Sequence, residues 1–182
     1  MGRVILIRHT EVAAHWKGRC YGRSDVGLSS AGRLMARDIA HRLALSEGAL
    51  LVTSPLRRAR YLAGLVAQVS SQNLVTEPRL SECNFGTWEG RSWNAIFAET
   101  GSAMMGMVTA PDSFRPGGGE TTYELRDRAM AWLESVARHD ADVTAIAHGG
   151  PVAAIRGTLA GVPADQWPAL VPAYGEQVEI SL

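Results

Sequence analysis

The sequence predicts a three-layer α/β/α sandwich with a mostly parallel central sheet. Three short apolar runs rich in β-branched residues, at residues 4–7, 49–53 and 142–147, have the pattern of strands buried on both faces. Segments with helical periodicity lie between them, and such alternation is typical of parallel strands joined by helices. The 182 residues suffice for one domain, which we place at residues 1–182.

Local signals set the bounds of the individual elements. The first helix begins at a serine cap and places Met35 and Ile39 on its apolar face. The second helix carries Pro55 in its first turn. Proline has no backbone N–H, but the N–H groups of a first turn make no hydrogen bond within the helix, so proline is tolerated there. In the third, we expect Glu124 to pair with Arg128 one turn later. The predicted elements after the first strand are a helix at 29–48, a strand at 49–53, helices at 55–69 and 120–140, a strand at 142–147, a helix at 149–161 and a strand at 176–182.

One long stretch has neither the helical nor the strand periodicity of apolar residues. The sequence GSAMMGMVTAPDSFRPGGGE shows no strand or helix pattern, and a helical segment precedes it. Long loops in compact domains are often functional. We therefore predict an irregular excursion over the site at about residues 91–119.

Composition excludes several classes of protein. Lys and Arg number 18 and Asp and Glu also 18, so a global positive field for nucleic acid is absent. No apolar run reaches the roughly 18 residues of a membrane span, and the first residues lack the pattern of a signal peptide. We therefore expect a cytoplasmic protein that binds neither nucleic acid nor membranes. Cys20 and Cys83 do not have the sequence spacing of metal ligands. In a reducing compartment we expect both to be free thiols, and a disulfide between them is the alternative.

Charged and polar residues collect where the predicted strands end. Arg8 and His9 follow the first strand, and His148 follows the strand at 142–147. The glycines after His148 expose backbone N–H groups at the start of a helix, which favours an anion. Arg58 lies in the first helical turn after the second strand. Because ligands bind at the carboxyl edge of such sheets, these residues predict an anion site.

Other residues have both structural and functional interpretations. A metal site at the two histidines lacks a carboxylate pair, so we predict none. Arg23 is either solvated or a contact to a distant part of a substrate. Trp88 belongs either to the core or to the wall of a substrate pocket. The other tryptophans considered, which we assign to the core or its rim, are Trp93, Trp132 and Trp167.

Five motifs in order resemble one known family. They are RHTE at 8–11, TSPLRRA at 53–59, LSECNFGTWEG at 80–90, PGGGE at 116–120 and AHGG at 147–150. Together they are similar to the histidine phosphatase superfamily, also called the phosphoglycerate mutase-like family. The resemblance covers nearly the whole chain and implies the phosphoglycerate mutase-like fold.

The resemblance also implies roles for individual residues. His9 would be the nucleophile that becomes phosphorylated, and Glu82 would protonate the leaving oxygen. The residues that would surround the phosphoryl group are Arg8, Arg58 and His148, with help from the backbone of Gly149. This chain departs from the common pattern at Thr10, where glycine is usual, and at His15, where mutase-like members carry asparagine.

The implied chemistry agrees with the residue types. A neutral imidazole attacks a phosphate dianion without charge repulsion. Two arginines and a second histidine can stabilise the transferring phosphoryl group without a metal. We therefore expect a phosphomonoester hydrolase with no metal or other cofactor, working through a phosphohistidine.

The loop CYGRSDVGLS is most like the α-ribazole phosphatase branch. This likeness implies α-ribazole 5′-phosphate, or adenosylcobalamin 5′-phosphate in cobalamin biosynthesis, as substrate. A broad-specificity phosphatase, a phosphoglycerate mutase-like protein and a non-catalytic phospholigand-binding protein are the alternatives. We expect the protein to be a monomer or homodimer. The candidate substrate contacts are Thr10, His15, Arg19, Cys20, Tyr21, Gly22 and Gly149.

Overall fold

A computed structural model describes residues 2–43 and 45–180. Its strands are β1 (Val4–Arg8), β2 (Leu50–Thr53), β3 (Leu74–Thr76), β4 (Val143–Ala147) and β5 (Gln177–Ile180). Its helices are α1 (Ser30–Arg42), α2 (Arg57–Ser70), α3 (Trp93–Thr100), α4 (Gly106–Thr109), α5 (Thr122–Val136) and α6 (Gly149–Leu159). Among these residues, no helix is long and apolar enough to cross a membrane.

The five strands form one sheet in the order β3-β2-β4-β1-β5. All neighbours are parallel except β5, which runs antiparallel to β1 at the edge. Alternate residues of β1 face opposite sides, with Leu6 in one core cluster and Ile7 in the other. Helices α5 and α6 cover the first side, and α1 and α2 cover the second. The predicted three-layer sandwich is confirmed.

Helix α1 is shorter than predicted. Ser29 caps it by accepting a hydrogen bond from the N–H of Gly32, as the sequence indicates. The helix ends at Arg42 rather than near Gly48, because Leu43 already has extended dihedral angles and the chain must turn to enter β2. Its buried face is also narrower than predicted, and Met35 is 40% exposed.

The predicted pair of Glu124 and Arg128 is wrong. Glu124 accepts from the backbone N–H of Thr121 in a capping box and also binds Arg115. Arg128 instead pairs with Glu120, 2.6 Å away. The helix terminus therefore outcompetes the side-chain pair for the Glu124 carboxylate.

The stretch at 91–119 is more regular than predicted. It contains the helices α3 and α4, and irregular residues follow them. Trp93, Met107 and Pro116 from this stretch line a cavity of about 410 Å³. Part of this stretch therefore lies against the cavity, and helices build much of it.

Candidate active site

Two histidines lie side by side at the carboxyl edge of the sheet. β1 and β4 pair in parallel, with Arg8 opposite Ala147. His9 and His148 come next on the two segments and therefore meet at the same edge. Their ring centroids are 5.2 Å apart, and both side chains are buried. The predicted convergence of the two strand ends is confirmed.

The imidazole of His9 is oriented by the backbone. Its Nδ1 lies 2.7 Å from the carbonyl oxygen of Thr10. Because a carbonyl oxygen only accepts, Nδ1 carries the proton and donates it. Nε2 then holds the lone pair, which is the form that a nucleophilic imidazole needs.

Two arginines approach the histidines, and both are held by carbonyl oxygens. Arg58, fully buried in the first turn of α2, donates to the carbonyls of Gly22 at 2.5 Å and Ser24 at 2.9 Å. Arg8 donates to the carbonyl of Pro172 at 2.7 Å. These acceptors carry no net charge, so the positive charge of each guanidinium is available to an anion.

Glycine at position 22 allows the loop to reach Arg58. Gly22 has a φ of +32°, and a Cβ there would lie 2.5 Å from the carbonyl oxygen of Cys83. A larger side chain would push this loop away from the segment that carries Glu82. The carbonyl of Gly22 would then no longer orient the Arg58 guanidinium.

Four buried polar atoms mark where an anion would bind. Among the described residues, the buried side-chain atoms without a hydrogen-bond partner are Arg8 Nε, Thr10 Oγ1, Arg58 Nε and His148 Nδ1. Leaving such groups unpaired costs free energy, so their number in native proteins is small. Three of the four belong to residues that the sequence places at the anion site, and the fourth belongs to Thr10, beside His9. Phosphoryl oxygens would give these donors their missing partners.

Glu82 lies on the cavity wall beside the start of α6. Its two carboxylate oxygens accept hydrogen bonds from the backbone N–H groups of Cys83, at 2.9 Å, and Gly150, at 3.3 Å. A Cβ at position 150 would lie 2.3 Å from Glu82 Oε1, so a larger residue there would displace the Glu82 carboxylate. The carboxylate is thereby held near Arg8 and Gly149, which line the same cavity.

Sequence comparison agrees with this arrangement. The sequence model of the histidine phosphatase superfamily (branch 1) matches residues 4–181. The chain belongs to the histidine phosphatase superfamily.

Relatives of this histidine phosphatase carry several names. A glucosyl-3-phosphoglycerate phosphatase of Mycolicibacterium vanbaalenii is 30% identical over 92% of this chain and 78% of its own length. A probable phosphoglycerate mutase of Yersinia pestis is 30% identical over 90% of this chain and 77% of its own.

Solved structures confirm the phosphoglycerate mutase-like fold. A mycobacterial glucosyl-3-phosphoglycerate phosphatase aligns with a TM-score of 0.84 at 26% identity, over 100% of this chain and 90% of its own. The α-ribazole phosphatase from Shigella flexneri aligns with a TM-score of 0.83 at 23% identity, over 99% and 90% of the two chains. The second likeness shows the fold alone.

Burial keeps both histidines of this phosphatase neutral. Desolvation, followed by the positive charge of Arg58, lowers the pKa of His9 to about 3. The same two causes, in the same order, lower the pKa of His148 well below its ordinary value. The His9 imidazole is therefore unprotonated at neutral pH, as a nucleophile must be.

The lowered histidine pKa predicts a loss of stability in mild acid. In the unfolded chain His9 binds a proton near pH 6.5, whereas in the folded chain it does so only near pH 3. Stability is thus fully present above pH 6.5 and falls as pH drops through this window. From about pH 7.5 to about pH 5, we expect His9 alone to lower the free energy of unfolding by about 2 kcal/mol.

Urea titrations at the two pH values measure this effect. His9→Gln, which keeps an N–H donor for the Thr10 carbonyl, should lose less stability on acidification than wild type. An equal loss in the variant and in wild type would contradict the assignment to His9.

The structure brings four of the predicted substrate contacts to one cavity of about 410 Å³. Arg19, Tyr21, Gly22 and Gly149 all line it. Thr10 is buried, with its unpaired hydroxyl among the atoms described above. Its hydroxyl therefore belongs to the anion site.

Two predicted substrate contacts lie elsewhere. His15 is exposed, packs beside Trp16 and is not part of the cavity wall. Cys20 is buried in an apolar cluster with Trp88 and Ile96, and burial raises the pKa of its thiol to about 12. Neither residue lines this cavity, so their role as substrate contacts stays a prediction.

The remaining open interpretations are resolved by burial and pairing. Trp88 belongs to the core cluster and does not line the cavity, whereas Trp93 and Trp167 do. Trp132 is buried in the main core. Arg23 pairs with Glu120 at 3.1 Å rather than lining the cavity.

Two further residues at the site were not predicted. Ser54 Oγ lies 2.7 Å from Nε2 of His148 and also accepts from the N–H of Leu56. The Tyr174 ring lies 4.2 Å from the Arg8 guanidinium carbon and 5.5 Å from the His9 ring. Ser54 stands inside the TSPLRRA motif, which could have indicated it. The segment around Tyr174 gives no comparable signal.

Proposed function

We propose that this phosphatase hydrolyses phosphate monoesters through a phosphohistidine at His9. The observation that carries the proposal is the set of four unpaired buried atoms around the two histidine rings. They provide hydrogen-bond donors from two guanidiniums, a hydroxyl and an imidazole. Such donors stabilise the charge on the equatorial oxygens of a transferring phosphoryl group.

In the first step, Nε2 of His9 attacks phosphorus and the bond from phosphorus to the ester oxygen breaks. Glu82 gives its proton to the departing oxygen, while Nδ1 of His9 keeps its proton and continues to donate to the Thr10 carbonyl. In the second step, water attacks phosphorus, the nitrogen–phosphorus bond breaks and Glu82 accepts the proton of the water. Neutral His9, protonated Glu82 and inorganic phosphate result.

Ser54 positions the proton of His148 for this reaction. The Ser54 oxygen accepts from the N–H of Leu56, so its own hydrogen is free to donate to His148 Nε2. His148 then carries its proton on Nδ1, the unpaired atom at the site. This tautomer gives a donor to the phosphoryl group without a net charge on the ring.

For the substrate, we propose α-ribazole 5′-phosphate or adenosylcobalamin 5′-phosphate. The support is the likeness of the CYGRSDVGLS loop to the α-ribazole phosphatase branch, together with the apolar wall of the cavity. The name of the Mycolicibacterium vanbaalenii relative, which is 30% identical, favours a second candidate, glucosyl-3-phosphoglycerate. We propose that no metal takes part, because the two arginines supply the positive charge.

The test is kcat/KM for α-ribazole 5′-phosphate, glucosyl-3-phosphoglycerate, 3-phosphoglycerate and glycerol 3-phosphate, with and without a chelator. We expect α-ribazole 5′-phosphate to be preferred and the chelator to have no effect. A higher kcat/KM for glucosyl-3-phosphoglycerate would make that ester the substrate in place of α-ribazole 5′-phosphate. Equal kcat/KM values for all four esters would indicate broad specificity. Phosphate binding by folded protein without turnover would favour a phospholigand-binding protein.

A further inference from the structure

The cavity is much larger than a phosphoryl group requires. It has a volume of about 410 Å³, and Arg8 and Glu82 of the proposed phosphoryl site lie on its wall. Cavities of this size enclose small organic ligands, so the leaving group of the ester would occupy the remainder. We call this remainder the leaving-group chamber. The residues whose apolar side chains line it include Phe85, Trp93, Val108, Leu125, Ala153 and Trp167.

Charged side chains are scarce on the wall of the chamber. Among the described residues that line the cavity, only Arg8, Arg19 and Glu82 carry charge. Arg8 and Glu82 serve the phosphoryl group and its ester oxygen. Arg19 is exposed and donates to the carbonyls of His15 and Gly90, at 3.1 and 2.9 Å. Because Arg19 is exposed, solvent and salt screen its charge, so a carboxylate placed among the aromatic side chains, away from Arg19, would lack an effective cation, which is costly.

The aromatic walls are fixed before a ligand binds. The Phe85 and Trp93 rings meet edge to face, with centroids 5.6 Å apart. Trp167 donates from its indole N–H to the carbonyl of Val162 at 3.0 Å and packs against Gly157. Rings held in this way favour flat apolar ligands, through stacked or edge-on contacts.

Small residues give the chamber its depth. Ala153 on α6 and Ala164 both line the cavity and are almost fully buried beside Trp167. A larger side chain at either position would fill space that a leaving group needs.

We infer that the chamber selects phosphate esters whose leaving group is uncharged and carries a flat apolar ring system, and that it disfavours leaving groups bearing a carboxylate. This inference rests on the proposed hydrolysis at His9. It names the chemical class of the leaving group at that site. It also predicts a preference opposite to that implied by the name of the glucosyl-3-phosphoglycerate phosphatases.

Three synthetic esters test the inference: 2-naphthylmethyl phosphate, its 6-carboxy derivative and ethyl phosphate. We expect kcat/KM for the naphthylmethyl ester to exceed that for each of the others by about tenfold or more. The two naphthylmethyl esters differ only in the carboxylate, so the ratio of their kcat/KM values measures the effect of that group. Equal values for that pair, or for the naphthylmethyl and ethyl esters, would overturn the inference.

Substitutions in the wall test whether the leaving-group chamber is the part of the protein that selects the ester. Ala153→Leu should lower the ratio of kcat/KM for naphthylmethyl over ethyl phosphate by about tenfold, because the added side chain occupies ring space. Ala160→Leu is the matched control, since Ala160 is exposed at the end of the same helix. Val108→Asp is a second variant and should depress the same ratio through its charge. Unchanged ratios in Ala153→Leu and Val108→Asp would contradict the location.

Binding calorimetry separates this inference from the proposed function. If no ester is hydrolysed and no phosphohistidine forms, the proposed function fails. Tighter binding of naphthylmethyl phosphate than of its carboxy derivative and of ethyl phosphate would then still support the chamber. Equal binding of the three would overturn it.

Discussion

Replacing His9 with alanine is expected to lower kcat by about 10³-fold or more and to abolish the acid-labile phosphoenzyme. The reason is geometric. His9 is the histidine whose Nδ1 is held by a carbonyl, which leaves the lone pair on Nε2. His148 cannot replace it, because its Nε2 lies against Ser54 and its Nδ1 is the atom offered to the anion.

Rapid quenching with a radiolabelled ester measures both quantities, and vanadate binding provides the control. The unpaired donors of Arg8, Arg58 and His148 persist in His9→Ala, so the variant should still bind vanadate. His41→Ala, a substitution of an exposed histidine on α1, should behave like wild type. Phosphoenzyme formation in His9→Ala would remove His9 as the nucleophile.

The arrangement of charge explains why the chain holds a fully buried arginine. Burial lowers the pKa of Arg58, the effect of taking its charge out of water. The carbonyls of Gly22 and Ser24 orient the guanidinium without cancelling its charge. A bound carboxylate would cancel it and compete with a phosphate. The ligand-free site therefore stays electropositive although the chain as a whole is neutral.

The sequence predicts the site well where the backbone sets the position. Parallel pairing of β1 with β4 forces the residues after them to one edge, so His9 and His148 follow from strand assignment alone. The same reasoning applies to Arg58, which lies in the first turn of α2 after the neighbouring strand β2. These positions need no knowledge of side-chain packing.

The sequence does not predict the site correctly where the position of a residue depends on the direction of its side chain or on a contact with a distant part of the chain. Cys20 and Tyr21 are adjacent in one loop, yet Cys20 is buried in an apolar cluster while Tyr21 lines the cavity. Helical spacing predicts that Glu124 pairs with Arg128, but the N–H groups at the helix start take the carboxylate first. Tyr174 reaches Arg8 from the far end of the chain. None of these outcomes is encoded in local periodicity.

Replacing Glu82 with glutamine is expected to slow alkyl phosphate esters by about 10²- to 10⁴-fold, because an alkoxide leaves poorly without a proton. The loss in the first step should be much smaller for p-nitrophenyl phosphate, whose phenolate leaves without protonation. Glu82 also accepts the proton of the attacking water, so the second step is slowed for every ester. The variant should therefore show a burst of p-nitrophenolate followed by accumulated phosphoenzyme.

Stopped-flow absorbance and quenched phosphoenzyme assays follow the two steps separately. Glu134→Gln, on the exposed face of α5, is the matched control and should leave both steps unchanged. Because the glutamine amide group cannot accept from both Cys83 and Gly150, a small loss of thermal stability is expected and is measured alongside. Equal losses for alkyl and p-nitrophenyl esters in the first step would show that Glu82 is not the proton donor, since a positional defect slows every ester alike.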